Sequence, residues 1–266
     1  MGAEDCRSGH THYRISGQGK PVILIHGVGL DLNMWEAQAA TLANRFQVIR
    51  YDMLGHGSSA TSTPVTQLND FVDQLAELVD ALELGRVTLI GFSMGGLVAR
   101  HFACVYPGKL ERLVLMNTVF RRSPEQRLAV QERVQQVAAD GPAATADLAI
   151  QRWFSTEFRE RNAVAVETVR QRLIANDPQG YLAAYRIFGS ATDETPEQLK
   201  AIRCPTLVLT GEHDVGATPE MAKELAACLP DAKAVVFPGL RHMAPFEGAQ
   251  QVNAELLGFL QSERRY

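Results

Sequence analysis

A serine flanked by glycines is the first chemistry-bearing feature of the chain: Gly91-Phe92-Ser93-Met94-Gly95. With 21 Gly and 10 Ser in 266 residues, a G-x-S-x-G run arises by chance only about 0.06 times, and the apolar run before it and the helical period after it give the strand-turn-helix setting that the motif needs. The small residues permit a sharp turn that lifts the Ser93 hydroxyl above a sheet, while the new helix directs its amino end at a developing negative charge. The competing reading of the same residues is structural, with Ser93 capping the helix and Gly95-Gly96 letting helix and strand pack closely. A hydroxyl is a poor nucleophile near neutral pH, so the chemistry requires a histidine base and a carboxylate that orients it.

Seven histidines are available. His242, in Leu240-Arg241-His242-Met243-Ala244-Pro245-Phe246-Glu247, follows the last strand-like run and precedes the last helical one, which puts it at the carboxyl edge of the sheet. His26, His56 and His213 fall in loops at the same edge, whereas His10, His12 and His101 sit in the polar N-terminus, the first edge strand and a helix interior. The order serine, acid, histidine favours His242. Asp214 is the acid, because it directly follows the run ending at Thr210 and precedes Thr218-Pro219, a helix start. Glu212, next to a glycine, belongs to the turn, and the run ending at Asn117 carries no carboxylate. Two amides complete the set as donors to an oxyanion: Met94, next after the serine, and Val28, in His26-Gly27-Val28-Gly29.

These residues need elements that carry them to one edge. Apolar, β-branched runs recur at Pro21–His26, Phe46–Tyr51, Val87–Phe92, Leu113–Asn117, Thr206–Thr210 and Ala234–Phe237, with a weaker hairpin edge at His12–Ile15. Helical spacing separates them, as in Phe71, Leu75, Leu78, Val79 and Leu82 or Val252, Leu256, Leu257 and Leu260. The alternation predicts an α/β fold with a mostly parallel sheet of about eight strands and helices on both faces. It breaks over residues 119–200, where Gly141-Pro142, Asp177-Pro178 and Thr195-Pro196 punctuate helical segments. The sequence thus predicts a core of residues 1–118 and 201–266 with residues 119–200 inserted as a helical lid over the edge where open sheets bind ligands. The lid holds 11 basic and 11 acidic residues, and ten of the bases are arginine. Arg121-Arg122 could meet a carboxylate, but the pair reads first as a solvated turn. Trp153, Tyr181, Tyr185 and Phe188 are lid aromatics at helical spacing, which suits lid core as well as substrate contact. Trp35 packs the first helix near the site, with a substrate contact as the second option.

Composition narrows the partners. A formal charge of −4 leaves no basic field for a nucleic acid. The longest apolar runs fall far short of the roughly 20 residues of a membrane span, and Met1–His10 is too polar for a signal peptide. Cys6, Cys104, Cys204 and Cys228 lack CxxC spacing, which predicts reduced thiols, a cytoplasmic setting and no structural zinc.

His26-Gly27 with Trp35 downstream, Asp52-Met53-Leu54-Gly55-His56-Gly57-Ser58, the Ser93 turn, the Asp214 loop and Gly239–Phe246 together resemble the α/β-hydrolase superfamily over nearly the whole chain. Arg152-Trp153-Phe154 and Asp177-Pro178-Gln179-Gly180-Tyr181 resemble the lid of its 3-oxoadipate enol-lactonase and carboxylesterase group. The resemblance implies nucleophile, acid and base at Ser93, Asp214 and His242, and structural roles for Asp52, Gly55 and Gly57. It implies a small ester or lactone as substrate, cleaved through an acyl-serine with no metal or organic cofactor. The chain departs from the enol-lactonase pattern at Leu54, where that group has Arg. Alternatives are carbon–carbon hydrolysis of a ring-fission product, where Met243 stands in place of the usual Trp, cofactor-free perhydrolysis, and a noncatalytic ligand receptor of the same fold. Ser93 argues against dehalogenase and epoxide hydrolase chemistry, which place aspartate at the turn.

Overall fold

The computed structural model describes residues 4–59 and 65–262, so Met1–Ala3 of the polar start lie outside the described residues. The chain opens with an antiparallel hairpin, β1 (Glu4–Ser8) and β2 (Thr11–Ser16), and β2 also pairs antiparallel with β4 (Gln47–Tyr51). β3 (Pro21–Ile25), β4, β5 (Val87–Phe92), β6 (Leu110–Met116), β7 (Thr206–Gly211) and β8 (Ala232–Phe237) run parallel, giving the order β1-β2-β4-β3-β5-β6-β7-β8. β1 is the strand that the sequence does not announce, because Glu-Asp-Cys-Arg-Ser has neither an apolar run nor alternation. It lies at the sheet edge, where charged side chains discourage pairing with another chain.

The central strands are continuously apolar because both of their faces are covered. Ile23 and Ile25 of β3, Leu89 of β5 and Leu113 and Leu115 of β6 face one core, with α2 (Leu68–Ala81), α3 (Met94–Val105) and α10 (Pro219–Cys228) packed over it. The alternate residues Val22, Leu24, Ile90, Val114 and Met116 face a second core under α1 (Glu36–Leu42) and α12 (Ala249–Gln261). On α2 the predicted stripe Phe71, Leu75, Leu78 and Val79 is buried.

Six helices intervene between β6 and β7: α4 (Pro124–Asp140), α5 (Ala143–Trp153), α6 (Thr156–Arg161), α7 (Ala163–Ile174), α8 (Pro178–Ser190) and α9 (Pro196–Ala201). Their punctuation follows local chemistry. Gly141, at φ 79°, ends α4, and Asp177 and Thr195 cap α8 and α9 with proline in the first turn. Val130, Val137, Ala184 and Ile187 join the first core, and Ala149, Ile150, Val169 and Leu173 the second. A buried ion pair ties the end of the insertion to α3: Arg100 Nε lies 2.5 Å from Glu194 Oε2, while Arg100 Nη1 donates to the Val119 carbonyl at 3.1 Å. A short four-residue helix, α11 (Ala244–Glu247), precedes α12.

Candidate active site

Ser93 stands between β5 and α3 with φ 53° and ψ −114°, a left-handed backbone that costs free energy for any residue bearing a Cβ. The strain persists because the surroundings fix the turn. The Ser93 amide donates to the Met116 carbonyl at 2.8 Å, and the Thr118 hydroxyl donates to the Ser93 carbonyl at 2.9 Å. A Cβ at Gly95 would lie 2.3 Å from the Ile25 carbonyl oxygen and 2.5 Å from that of His26, so only glycine lets α3 start this close to β3.

The sheet brings the three sequence-predicted residues into one line. Ser93 Oγ lies 3.2 Å from His242 Nε2, and His242 Nδ1 lies 2.7 Å from Asp214 Oδ2. Asp214 selects the tautomer in which Nδ1–H donates to it, leaving Nε2 to accept from the serine hydroxyl. Asp214 is itself held by the amides of Gly216 and Ala217, at 2.9 and 3.0 Å from Oδ1, and by Asn117 Nδ2, 2.9 Å from Oδ2. Burial alone would raise its carboxyl, but the His242 charge and hydrogen bond, the Ala217 amide and Asn117 outweigh it and hold Asp214 below the ordinary carboxylate range. Glu212 does belong to the turn, accepting from the Gly239 amide at 2.9 Å.

The His242 ring is held on both sides, with centroids 5.0 Å from Phe92 and 5.7 Å from Trp153. Its loop is fixed by Glu247, whose two oxygens accept from the amides of Ser155 at 2.7 Å and Arg241 at 3.0 Å, and by the Met243 amide, which donates to the Trp153 carbonyl at 3.0 Å. In the sequence Glu247 carries no signal beyond its position within the His242 run. Asn117 marks a strand end without a carboxylate, and the structure shows that it supplies a donor to one.

The second loop at this edge rests on neutral imidazoles. His26 Nε2 accepts from the Met53 amide at 2.9 Å, so its Nδ1 carries the proton and donates to the Gly27 carbonyl at 2.8 Å. Burial lowers His26, and it drives His56 down to about 3, so both rings are uncharged at neutral pH. Asp52 accepts from the amides of Leu32 and Ser58, both at 2.8 Å, and from His12 Nδ1 at 2.7 Å. This lattice sets Gly27-Val28 against the serine turn: a Cβ on Gly27 would lie 3.2 Å from that of Ser93. Val28 lines the same cavity as Ser93, and Met94 opens α3 at its amino end.

A cavity of about 250 Å³ adjoins Ser93, His242 and Asp214. Among its walls are Val119, Val130, Trp153, Tyr185 and Phe188, so three of the lid aromatics reach it. Tyr181 and Trp35 do not line it. Tyr181 packs behind Tyr185 at a tilt, centroids 5.5 Å apart, and Trp35 is fully buried against Phe92 at 6.3 Å, because each large ring is drawn into the core that supports the wall. Arg121 is exposed, as a solvated turn requires, but Arg122 is only 7% exposed and lines the cavity, which corrects the reading of the pair. Among the described residues no group of His, Cys, Asp or Glu could hold a metal ion, and no helix is long and apolar enough to cross a membrane.

Residues 20–249 match the family model for the alpha/beta hydrolase fold. The chain is 34% identical to an (E)-2-((N-methylformamido)methylene)succinate hydrolase of Acinetobacter baylyi over 95% of this chain and 94% of that one. It is 31% identical to a 3-oxoadipate enol-lactonase of the same organism over 76% and 75%. The crystal structure of an enol-lactonase from Burkholderia xenovorans superposes with a TM-score of 0.88 at 31% identity, covering 95% of this chain and 96% of that one.

Proposed function

This chain belongs to the alpha/beta hydrolase family, and from that premise we propose that it is a serine hydrolase acting on a small carboxylic ester or lactone. The observation that carries the reading is the relay from Ser93 through His242 to Asp214 at 3.2 and 2.7 Å, opening on a cavity of about 250 Å³. That volume suits a short acyl group, being just below the range of about 300–1,000 Å³ common for ligand sites.

In this mechanism His242 Nε2 takes the Ser93 proton as Oγ attacks the substrate carbonyl, and Asp214 stabilises the imidazolium that forms. The amides of Val28 and Met94 hold the oxyanion. The tetrahedral intermediate collapses with cleavage of the acyl–oxygen bond, His242 protonates the released oxygen, and Ser93 keeps the acyl group; an ester's alcohol departs here, whereas a lactone's opened chain stays tethered to the acyl-serine. His242 then deprotonates a water molecule that attacks the acyl-serine, and the acid product departs as Ser93 regains its proton. Residues 119–200 serve as a lid on a core of residues 1–118 and 201–266, and Trp153 and Tyr185 contact substrate from it. The cysteine spacing supports a cytoplasmic location.

A second reading is supported by the succinate-derivative hydrolase at 34% identity: the same relay would cleave a carbon–nitrogen bond, with His242 protonating nitrogen as it leaves. The test is hydrolysis of 3-oxoadipate enol-lactone, short p-nitrophenyl esters and an N-formyl enamide of succinate, with Ser93→Ala as the blank. A specificity constant of about 10⁴ M⁻¹s⁻¹ or more for one of them, lost in the variant, supports the reading and names the bond. Near-wild-type turnover by Ser93→Ala overturns it.

A further inference from the structure

We propose that Arg122, Arg133 and Arg152 make the cavity beside Ser93 a carboxylate-binding subsite, so that the preferred substrate is a short acid carrying a free carboxylate besides its scissile bond. This deepens the serine hydrolase reading and rests on it.

The three arginines line the cavity together with apolar walls, and among the described residues the one carboxylate lining it is Asp214, which His242 and Asn117 already engage. The guanidiniums of Arg122 and Arg133 are held by neutral acceptors. Arg122 Nη1 donates to the Phe188 carbonyl at 2.8 Å and its guanidinium lies 4.3 Å from the Phe188 ring centre, while its buried Nη2 has no acceptor in the described structure. Arg133 Nε donates to the Tyr185 hydroxyl at 3.0 Å, and among the described residues no carboxylate lies in ion-pair reach of Arg122, Arg133 or Arg152. Arg50, Arg100 and Arg172, whose side chains are also withdrawn from water, each meet a carboxylate: Glu36, Glu194 and Asp31. Arg122, the buried one of the three, therefore differs from the buried and paired Arg50 and Arg100.

Like charges gathered at an apolar wall repel one another, and an unpaired buried donor loses its water without compensation. Burial, followed by Arg127 and against the opposing charge of Asp193, which lies beyond ion-pair reach, lowers Arg122 to about 10, and burial followed by Arg133 lowers Arg152. At 10, Arg122 remains a cation at neutral pH. A substrate carboxylate supplies what is missing: an acceptor for Nη2 and a counter-charge shared among guanidinium forks whose planar geometry matches it. Arg152 directly precedes Trp153, which packs on His242, and Arg122 lies three residues beyond Val119 in the same wall. The charge-reading groups thus sit on the insertion and the reacting groups on the sheet, so a molecule short enough to fill the cavity meets both.

The experiment compares kcat/KM for monomethyl succinate and monomethyl glutarate with their neutral dimethyl esters, per ester bond, in the wild type, Arg133→Gln, Arg152→Gln and Arg161→Gln. Arg161 lies outside the cavity, paired with Glu157. The wild type is expected to favour the monoesters by about ten- to hundredfold. Arg133→Gln and Arg152→Gln should bring that ratio toward one, and Arg161→Gln should leave it unchanged. Succinate and glutarate should also raise the Tm of the wild type, at fixed ionic strength, more than that of Arg152→Gln. Equal or better turnover of the dimethyl esters by the wild type overturns the subsite while leaving the hydrolase reading intact. No turnover of either class, nor of the lactone, p-nitrophenyl esters or enamide, with Tm still raised by the dianions in an Arg152-dependent way, overturns the hydrolase reading and supports the subsite. No turnover and no Tm shift overturns both.

Discussion

Asp214 shows how a single residue's role depends on its environment. Burial alone would raise its carboxyl, but His242, followed by the Ala217 amide and Asn117, holds it below the ordinary carboxylate range. Asp214→Asn keeps the shape but lets Nδ1 lose its acceptor, so kcat is expected to fall by about 10⁴-fold with KM little changed, as a steady-state assay would read. Glu247 acts at one remove. Glu247→Gln keeps only one carbonyl oxygen for two amides, Ser155 and Arg241, and turns an amide group toward the other. Leaving one donor unpaired is expected to cost about 1–3 kcal/mol in urea denaturation, and the loosened His242 loop should lower kcat more than it raises KM. That Ser93, Asp214 and His242 come together was legible because each lies in the loop that follows a strand at one sheet edge, where residue type and chain order suffice. Glu247 was not, because one of its two partners is 92 residues away and only the folded chain makes them neighbours.

Between elements, α3 is the part on which most depends, since it starts at Ser93 and carries Arg100 to the insertion. Gly95→Ala puts a Cβ against two backbone carbonyls that cannot swing aside, and the expected loss is about 3 kcal/mol, read as a lowered urea midpoint. Arg100 is fully buried and Glu194 nearly so. Glu194→Gln should therefore destabilise by roughly 3–5 kcal/mol, whereas the double change Arg100→Met with Glu194→Gln should recover part of it, because the uncompensated charge is then gone. A double-mutant cycle measures that coupling, and additivity would show that the two do not act as a pair. The ends of α4, α8 and α9 were legible at Gly141, Asp177-Pro178 and Thr195-Pro196, since proline, glycine and cap residues act locally. Its contacts were not: nothing in the spacing of Trp35 or Tyr181 says that each faces core instead of cavity, and nothing in Arg121-Arg122 says which of the two is buried.

Taken as one molecule, the protein buries several groups in a single ionisation state, and this sets its response to acid. His56 is driven to about 3 by burial, so on unfolding it regains an ordinary affinity for protons. Between about pH 6.5 and 3 the unfolded chain binds the extra proton and the folded one does not, so stability from this group is complete above pH 6.5 and is lost as pH falls toward 3. His26 is lowered in the same direction, and Asp52 and Asp214, also lowered, add their losses below about pH 4. Urea midpoints should be level from pH 7 to 8 and fall steadily below about 6.5, and His56→Gln should flatten the slope between pH 6 and 4; an unaltered slope would show that His56 does not set it. The sequence by itself determined the parallel sheet, its covering helices, the helical stretch between β6 and β7 and which serine, acid and histidine come together at one edge, because apolar period, turn glycines and chain order are properties of near neighbours along the chain. Only the tertiary structure decided which aromatics face the cavity, that Glu247 and Asn117 brace the His242 loop and Asp214, and that three arginines from separated positions line one cavity with no ion-pair partner among the described residues. Those facts depend on which side chains long-range packing excludes from water, and burial and pairing across tens of residues leave no local period to read.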